Sequence, residues 1–579
     1  MSGADLKICA KRKTLLETAG HLLILGGPGS GKTTIALVKA STELSARTLA
    51  PNQKILFLSF ARATIVRVIE QAKLRIPRGS QRELEINTYH GFAWNFIRTF
   101  GHLLTGHTRL RLLPPPEAAS RMAGVPKDDR PAKLRQLLSE EGILGFDLFA
   151  ELAADLLEQS PRLCRLLSDS YPIIILDEFQ DTNLDEWRII GALGKDSRII
   201  ALADAEQRIY EFRGADPARI GQFIETFSPS IFDFGNENNR SDGTDITTFG
   251  NDLLTGANIC KSYTHVQVNK YKFYRDEPHC PVKHTVLTAR QRLVRSQNPD
   301  WSLAILVSSK DMMLQVSKYL ASSSNRLPKI AHDALIDPEG PALSAVFIAS
   351  LLEGAPTRAE LTRNLMADLI NHIRGCQGGG ISQQNLALAI ALQSYLDSCA
   401  LRGKKRLELL SEVQAISTAR MGLALTGDPT HDWSEIRRLM DGAVHDALKA
   451  VAEDARFIRL LHRGTDLRES LAERWRIEGA YNSAREFVSN ALLQEHFSSS
   501  MRVWRGVNIM TIHKSKGKEF DEVIVFEGWR TGRLLRQDAT ARDIEQARLT
   551  LRVAVTRARQ RTTFLTPSWA SCPLLCPQQ

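Results

Sequence analysis

The segment Gly26-Gly27-Pro28-Gly29-Ser30-Gly31-Lys32-Thr33 restricts this chain more than any other. It follows the short apolar run His21–Leu25 and precedes a helical pattern reaching Lys39, so it reads as strand, glycine loop and helix. That unit belongs to α/β folds built on a parallel sheet. Its chemistry is equally restrictive. Glycines let successive backbone N–H groups wrap phosphate oxygens, and the helix N-terminus adds positive potential. Gly26, Gly27, Pro28, Gly29, Ser30, Gly31, Lys32, Thr33 and Thr34 form the candidate nucleotide cradle. Within it Lys32 is expected to reach the β- and γ-phosphates and the Thr33 hydroxyl to ligate Mg²⁺.

A second strand, Ile173-Ile174-Ile175-Leu176, ends in two carboxylates, Asp177 and Glu178. Such a pair could simply cap a helix. With a phosphate loop upstream, it fits triphosphate hydrolysis instead: Asp177 orients the Mg²⁺ ligands and Glu178 polarises the attacking water. Asp177 and Thr33 are therefore the candidate metal ligands.

Around these landmarks the pattern alternates. Strand and helix signals fill the first ~95 residues and return at Ile173–Leu176 and Arg198–Ala203. A second α/β stretch contains Ser302–Val307, and strand patterns reappear at Val507–Thr511 and Glu522–Phe526. Between them lie two mostly helical stretches. The reading is an α/β protein with two motor-like modules, each interrupted by a helical insertion. The first module takes residues 1–100 and 169–230, with 101–168 as its insertion. The second takes 231–352 and 501–579, with 353–500 as its insertion.

Composition adds exclusions. With 43% hydrophobic and 24% charged residues, the chain is neither disordered nor a disulfide scaffold. Its eight cysteines are scattered, no apolar run is long enough for a membrane span, and no signal peptide is evident, so a reduced cytoplasmic protein is expected. His279-Cys280 and His284 read as scattered loop residues rather than metal ligands. The net charge of +10 leans toward a polyanionic partner without establishing one.

Beyond Glu178 the sequence continues Phe179-Gln180-Asp181-Thr182-Asn183, and here the chain resembles the UvrD/Rep-type helicases of superfamily 1. The resemblance continues in order along the chain. Ser59-Phe60-Ala61-Arg62-Ala63 and Thr88-Tyr89-His90-Gly91-Phe92 are similar to the early motifs of that family. The segment from Ala203 to Ala215 resembles the motif carrying a γ-phosphate-sensing Gln and two DNA-facing aromatics. Asn239-Arg240-Ser241, Thr511–Phe520 and Val553–Arg559 resemble the later ones.

The resemblance implies two RecA-like P-loop domains with ATP between them, and movement along single-stranded DNA, 3′ to 5′, driven by hydrolysis. It assigns Lys32, Asp177, Glu178, Gln207, Arg240 and Arg557 to catalysis, and Gly517 and Glu519 to the nucleotide. It assigns Phe60, Thr88, His90, Tyr210, Phe212, Arg213, Thr511 and His513 to DNA. For Phe60 and Phe212, burial in the core is the competing reading. The implied partners are single-stranded DNA and junctions of single and double strands, with no membrane. A second reading keeps the same chemistry in a DNA-activated NTPase subunit that works with a separate nuclease in repair or anti-phage defence; compact members such as the Gabija helicase subunit are similar.

Three positions depart from the family pattern. Ala10-Lys11-Arg12-Lys13 stands where the family carries an adenine-reading Gln, Asn239 where it carries an aromatic before the arginine, and Arg552 where an aromatic is common. The first two remove contacts to adenine, so weak discrimination among nucleobases is expected.

Overall fold

The strands form because their apolar runs are continuous rather than alternating, the pattern of parallel strands covered on both faces. The computed structural model describes residues 9–60, 62–204, 206, 214–235, 241, 243–272, 279–296, 298–323, 327–335, 339–376, 381–455, 465–497, 504–536 and 538–575. In chain order the strands are β1 (Leu22–Leu25), β2 (Ile55–Ser59), β3 (Leu84–Thr88), β4 (Arg111–Leu113), β5 (Ile143–Gly145), β6 (Ile173–Leu176) and β7 (Arg198–Ala203). There follow β8 (Ser230–Asp233), β9 (Val266–Tyr271), β10 (Ser302–Val307), β11 (His332–Ala334), β12 (Gly506–Thr511), β13 (Phe520–Phe526) and β14 (Ala558–Pro567).

Among the described residues these strands make two six-stranded sheets, in the orders β3-β2-β6-β7-β1-β8 and β11-β12-β10-β13-β14-β9, and a β4–β5 ribbon. Every pairing in both large sheets is parallel. Parallel pairing aligns all carboxyl ends of a sheet on one edge, where α/β proteins place their ligands. In the first sheet that edge carries the glycine loop after β1 and Asp177 after β6.

The chain forms two compact units. One comprises Met1–Phe96, Ala153–Ile336 and Ser499–Gln579 and contains both six-stranded sheets; the other comprises Ile97–Leu152 and Asp337–Ser498. These edges differ from the sequence boundaries at two places, each for a packing reason. Helix Pro161–Ser170, allotted to the first insertion, belongs with the first sheet: its Cys164 and Ser168 bond the carbonyls of Ala192 and Leu193. Helix Glu339–Glu353, allotted to the second α/β stretch, instead forms the centre of the helical unit, burying Phe347, Ile348, Leu351 and Leu352 completely.

The helical unit is held by an apolar core that also includes Leu365, Leu369, Leu392, Leu409, Val413, Ile436 and Leu471. A buried polar cluster sits within it: Asp368 accepts from Ser350 Oγ and, at 2.6 Å, from Arg485 Nη2. Among the described residues, no helix is long and apolar enough to cross a membrane.

Candidate nucleotide site at the edge of the first sheet

The glycine loop turns where only glycine is comfortable. Gly29 and Gly31 have φ of 81° and 86°, and a Cβ on Gly26 would lie 2.7 Å from Ser30 Oγ. Gly31 is the N-cap of helix Lys32–Ser45, so the first N–H groups of that helix face the loop. The Lys32 ammonium donates to the carbonyls of Gly26 and Gly27 at 2.6 and 3.1 Å, which holds its charge at the loop's centre. Ser30 Oγ is buried without a hydrogen-bond partner. Behind the loop, buried Arg12 donates to the Ser30 carbonyl at 3.1 Å and lies 4.9 Å from the centroid of the Phe234 ring.

Beyond β6, Asp177 is buried and accepts from Ser59 Oγ at 3.1 Å. Burial, reinforced by the adjacent Glu178 charge, pushes the Asp177 carboxyl well above the usual carboxylate range. Glu178 has the opposite balance. Burial alone would raise it, but Lys516, Lys32, a hydrogen bond from Gln180 and the Arg557 charge together bring it below its ordinary value. The two acids therefore differ in proton affinity, the arrangement that separates roles within a carboxylate pair. Glu178 also holds a left-handed backbone, φ 55°, unusual for a residue with a side chain.

Thr33 and Asp177 are oxygen donors, the hard ligands Mg²⁺ takes, and the raised Asp177 carboxyl sits where a cation would offset repulsion from Glu178. The donor set fits the ion.

The second sheet supplies cations to this edge. Lys516, in the turn between β12 and β13, is 3% exposed; it is ion-paired with buried Asp181 and stands 3.6 Å from Glu178 Oε2. Burial holds Asp181 above its usual range despite that partner. Arg557, at the start of β14's approach, is buried and donates to Val553 O at 2.9 Å and Thr556 Oγ1 at 3.1 Å. Its charge is felt at Glu178.

The other expected residues divide. Gly517 and Glu519 face the first sheet's helix Arg62–Arg75: Arg67 donates to Gly517 O at 3.0 Å and to Glu519 Oε1 at 2.7 Å, and Arg559 reaches Glu519 Oε2 at 3.2 Å. The Glu519 carboxylate is thus shared between two arginines. Half-buried Phe60 stacks on Tyr89 with centroids 4.5 Å apart. Thr88 Oγ1 accepts from the Gly91 N–H at 2.9 Å, and His90 beside it is half-buried. Thr511 caps the short helix Ile512–Ser515, and the His513 imidazole is lowered by burial and by Lys516. Gln207, Tyr210, Phe212, Arg213, Asn239 and Arg240 lie outside the described residues.

Lys516, Gln180, Arg552 and Arg67 were not singled out from sequence as parts of the site. The available signal was their position inside matched motifs, since each lies within a stretch already aligned with the family or one turn beyond it.

Known proteins are similar to the chain in the same regions. The UvrD/REP helicase N-terminal domain model matches residues 9–130 and 130–228, and the UvrD-like helicase C-terminal domain model matches residues 446–568. A probable DNA helicase II homolog of Rickettsia felis is 21% identical over 95% of this chain and 90% of its own length. DNA helicase II of Escherichia coli is 25% identical over 43% of this chain and 40% of its own. The RecB subunit of the Mycolicibacterium smegmatis RecBCD enzyme is 35% identical over 16% of this chain and 10% of its own.

Proposed function

Because the chain belongs to the UvrD-like helicases and is an ATP-dependent DNA helicase, we propose that it moves along single-stranded DNA from 3′ to 5′, opening duplexes at junctions. The observation that carries this reading is the meeting of Lys516 and Arg557 from the second sheet with Glu178 of the first. A site whose charges come from both sheets changes its internal balance when a triphosphate enters and when it is cleaved.

In this reading Lys32 leaves its loop carbonyls for the β- and γ-phosphates, and the loop N–H groups take the remaining oxygens. Mg²⁺, held by Thr33 and Asp177, neutralises developing phosphate charge when bound. Glu178, kept ionised by its cationic neighbours, takes a proton from the attacking water. Arg557 and, by family resemblance, Gln207 and Arg240 stabilise charge on the transferred group. Closing the two sheets on the nucleotide and releasing them after cleavage then becomes one step along the strand. Phe60, Thr88, His90, Thr511 and His513, with Tyr210, Phe212 and Arg213, are the proposed DNA contacts; stacking on aromatics tolerates any base, which a translocase needs.

Similarity to RecB over a short stretch supports a second reading, in which the same motor works beside a nuclease carried by another chain. ATP turnover measured with and without single-stranded DNA tests the main proposal. DNA-stimulated turnover that vanishes in Lys32→Ala is expected; turnover indifferent to DNA overturns it.

A further inference from the structure

Arg552 lies in helix Ala541–Val555 among the buried apolar residues Leu551, Val553, Ala554 and Val555, and only 1% of its side chain is exposed. A guanidinium in that setting must have partners, and all three of its nitrogens do. Nε and Nη2 donate to Asn251 Oδ1 at 3.3 and 3.2 Å. Nη1 donates to Asp204 Oδ2 at 3.5 Å, and Nη2 stands 3.1 Å from Glu206 Oε2. Asn251 belongs to helix Ile246–Thr255, whereas Asp204 and Glu206 follow β7 of the first sheet. Arg552 is thus a charged pin between a helix of the second sheet and a strand end of the first.

The pin continues in both directions. The Asp204 N–H donates to Gln180 Oε1 at 3.0 Å, and Gln180 Nε2 donates to Glu178 Oε2 at 2.6 Å. On the other side, the Arg552 carbonyl accepts from the Thr556 N–H at 3.1 Å and from its hydroxyl at 2.8 Å. That same hydroxyl receives Arg557 Nη2. One buried side chain therefore connects, through single hydrogen-bonded steps, to both Glu178 and Arg557.

We infer that Arg552 is a positioning residue for hydrolysis: it sets where Arg557 and Glu178 stand relative to each other, acting on Glu178 through Asp204 and Gln180. The inference rests on the reading of Glu178 as the base. Its physical basis is direction. A guanidinium presents donors in a fixed planar fork, and the three groups it holds lie on separate elements. A lysine at the same place keeps the charge but cannot hold all three.

The test uses the full-length chain with saturating single-stranded DNA. Arg552→Lys is expected to lower kcat by about 10- to 100-fold while the KM for ATP and the melting temperature stay near wild type. Gln180→Ala should lower kcat as well, and the double variant should be no slower than the slower single one, because both act on one path. Unchanged kcat in Arg552→Lys, or losses that multiply in the double variant, would overturn the inference. Should Arg552→Lys not fold, Glu206→Gln, which alters a half-exposed partner, carries the same comparison with Gln180→Ala. Glu178→Gln run alongside separates the two failures: if it retains wild-type turnover, the base assignment fails; if it is inactive while Arg552→Lys is not, only this inference fails.

Discussion

The Lys516 ammonium stands 3.6 Å from Glu178 Oε2 while also ion-paired with Asp181, so one buried cation of the second sheet balances two acids of the first. Removing it leaves Asp181 buried without its counter-charge, which costs about 3–5 kcal/mol. Lys516→Ala is accordingly expected to melt earlier and to hydrolyse ATP slowly even at saturating ATP. Calorimetry beside a DNA-stimulated ATPase assay checks both; wild-type stability would remove Lys516 from this role.

Glu178→Gln keeps the shape of the side chain and its contact with Gln180 but loses the base. Hydrolysis is expected to fall by about 10²- to 10⁴-fold while ATP still binds. Nucleotide binding by fluorescence, measured beside turnover, distinguishes this from a collapsed loop.

Arg12 touches the phosphate loop through the Ser30 carbonyl and the Phe234 ring. Contacts of that kind support the loop without reading a base. Arg12→Ala should weaken ATP and GTP alike, and the wild-type protein should use both. A kcat/KM preference for ATP above about a hundredfold contradicts this account.

Asp368 gives the helical unit a pH signature. Burial, only partly countered by Arg485, pushes its carboxyl up from 3.8 to about 6. A raised folded-state value means the folded protein holds a proton that the unfolded chain releases. The stabilisation is therefore full below the unfolded value and is lost as pH rises through about 6. Wild type should gain on Asp368→Asn by up to about 1.4 kcal/mol for each pH unit as pH falls from about 7 toward about 5. Melting both proteins across that range checks the slope; a difference independent of pH would contradict it.

What was legible in the sequence was local. The glycine loop and the β6 acids carry their chemistry within a few adjacent residues, and the strands around them announce themselves by unbroken apolar runs. Helix Glu339–Glu353 was misplaced because it is apolar on nearly every side, so it shows no helical face. The cross-sheet cations were invisible for a different reason. Lys516 is 335 residues from Asp181 and Arg552 is 348 from Asp204, and nothing in the local pattern reports such a meeting. Arg552 could be seen as a departure from the family, but the acids that accept its charge emerge only once the sheets are built.

The most direct measurement of the central claim is strand displacement on matched duplexes carrying a 3′ tail, a 5′ tail or no tail, with ATP and Mg²⁺. Movement from 3′ to 5′ driven by the site around Glu178 requires unwinding of the 3′-tailed duplex alone, abolished in Glu178→Gln. Equal unwinding of the 5′-tailed duplex, or unwinding that survives Glu178→Gln, would contradict it.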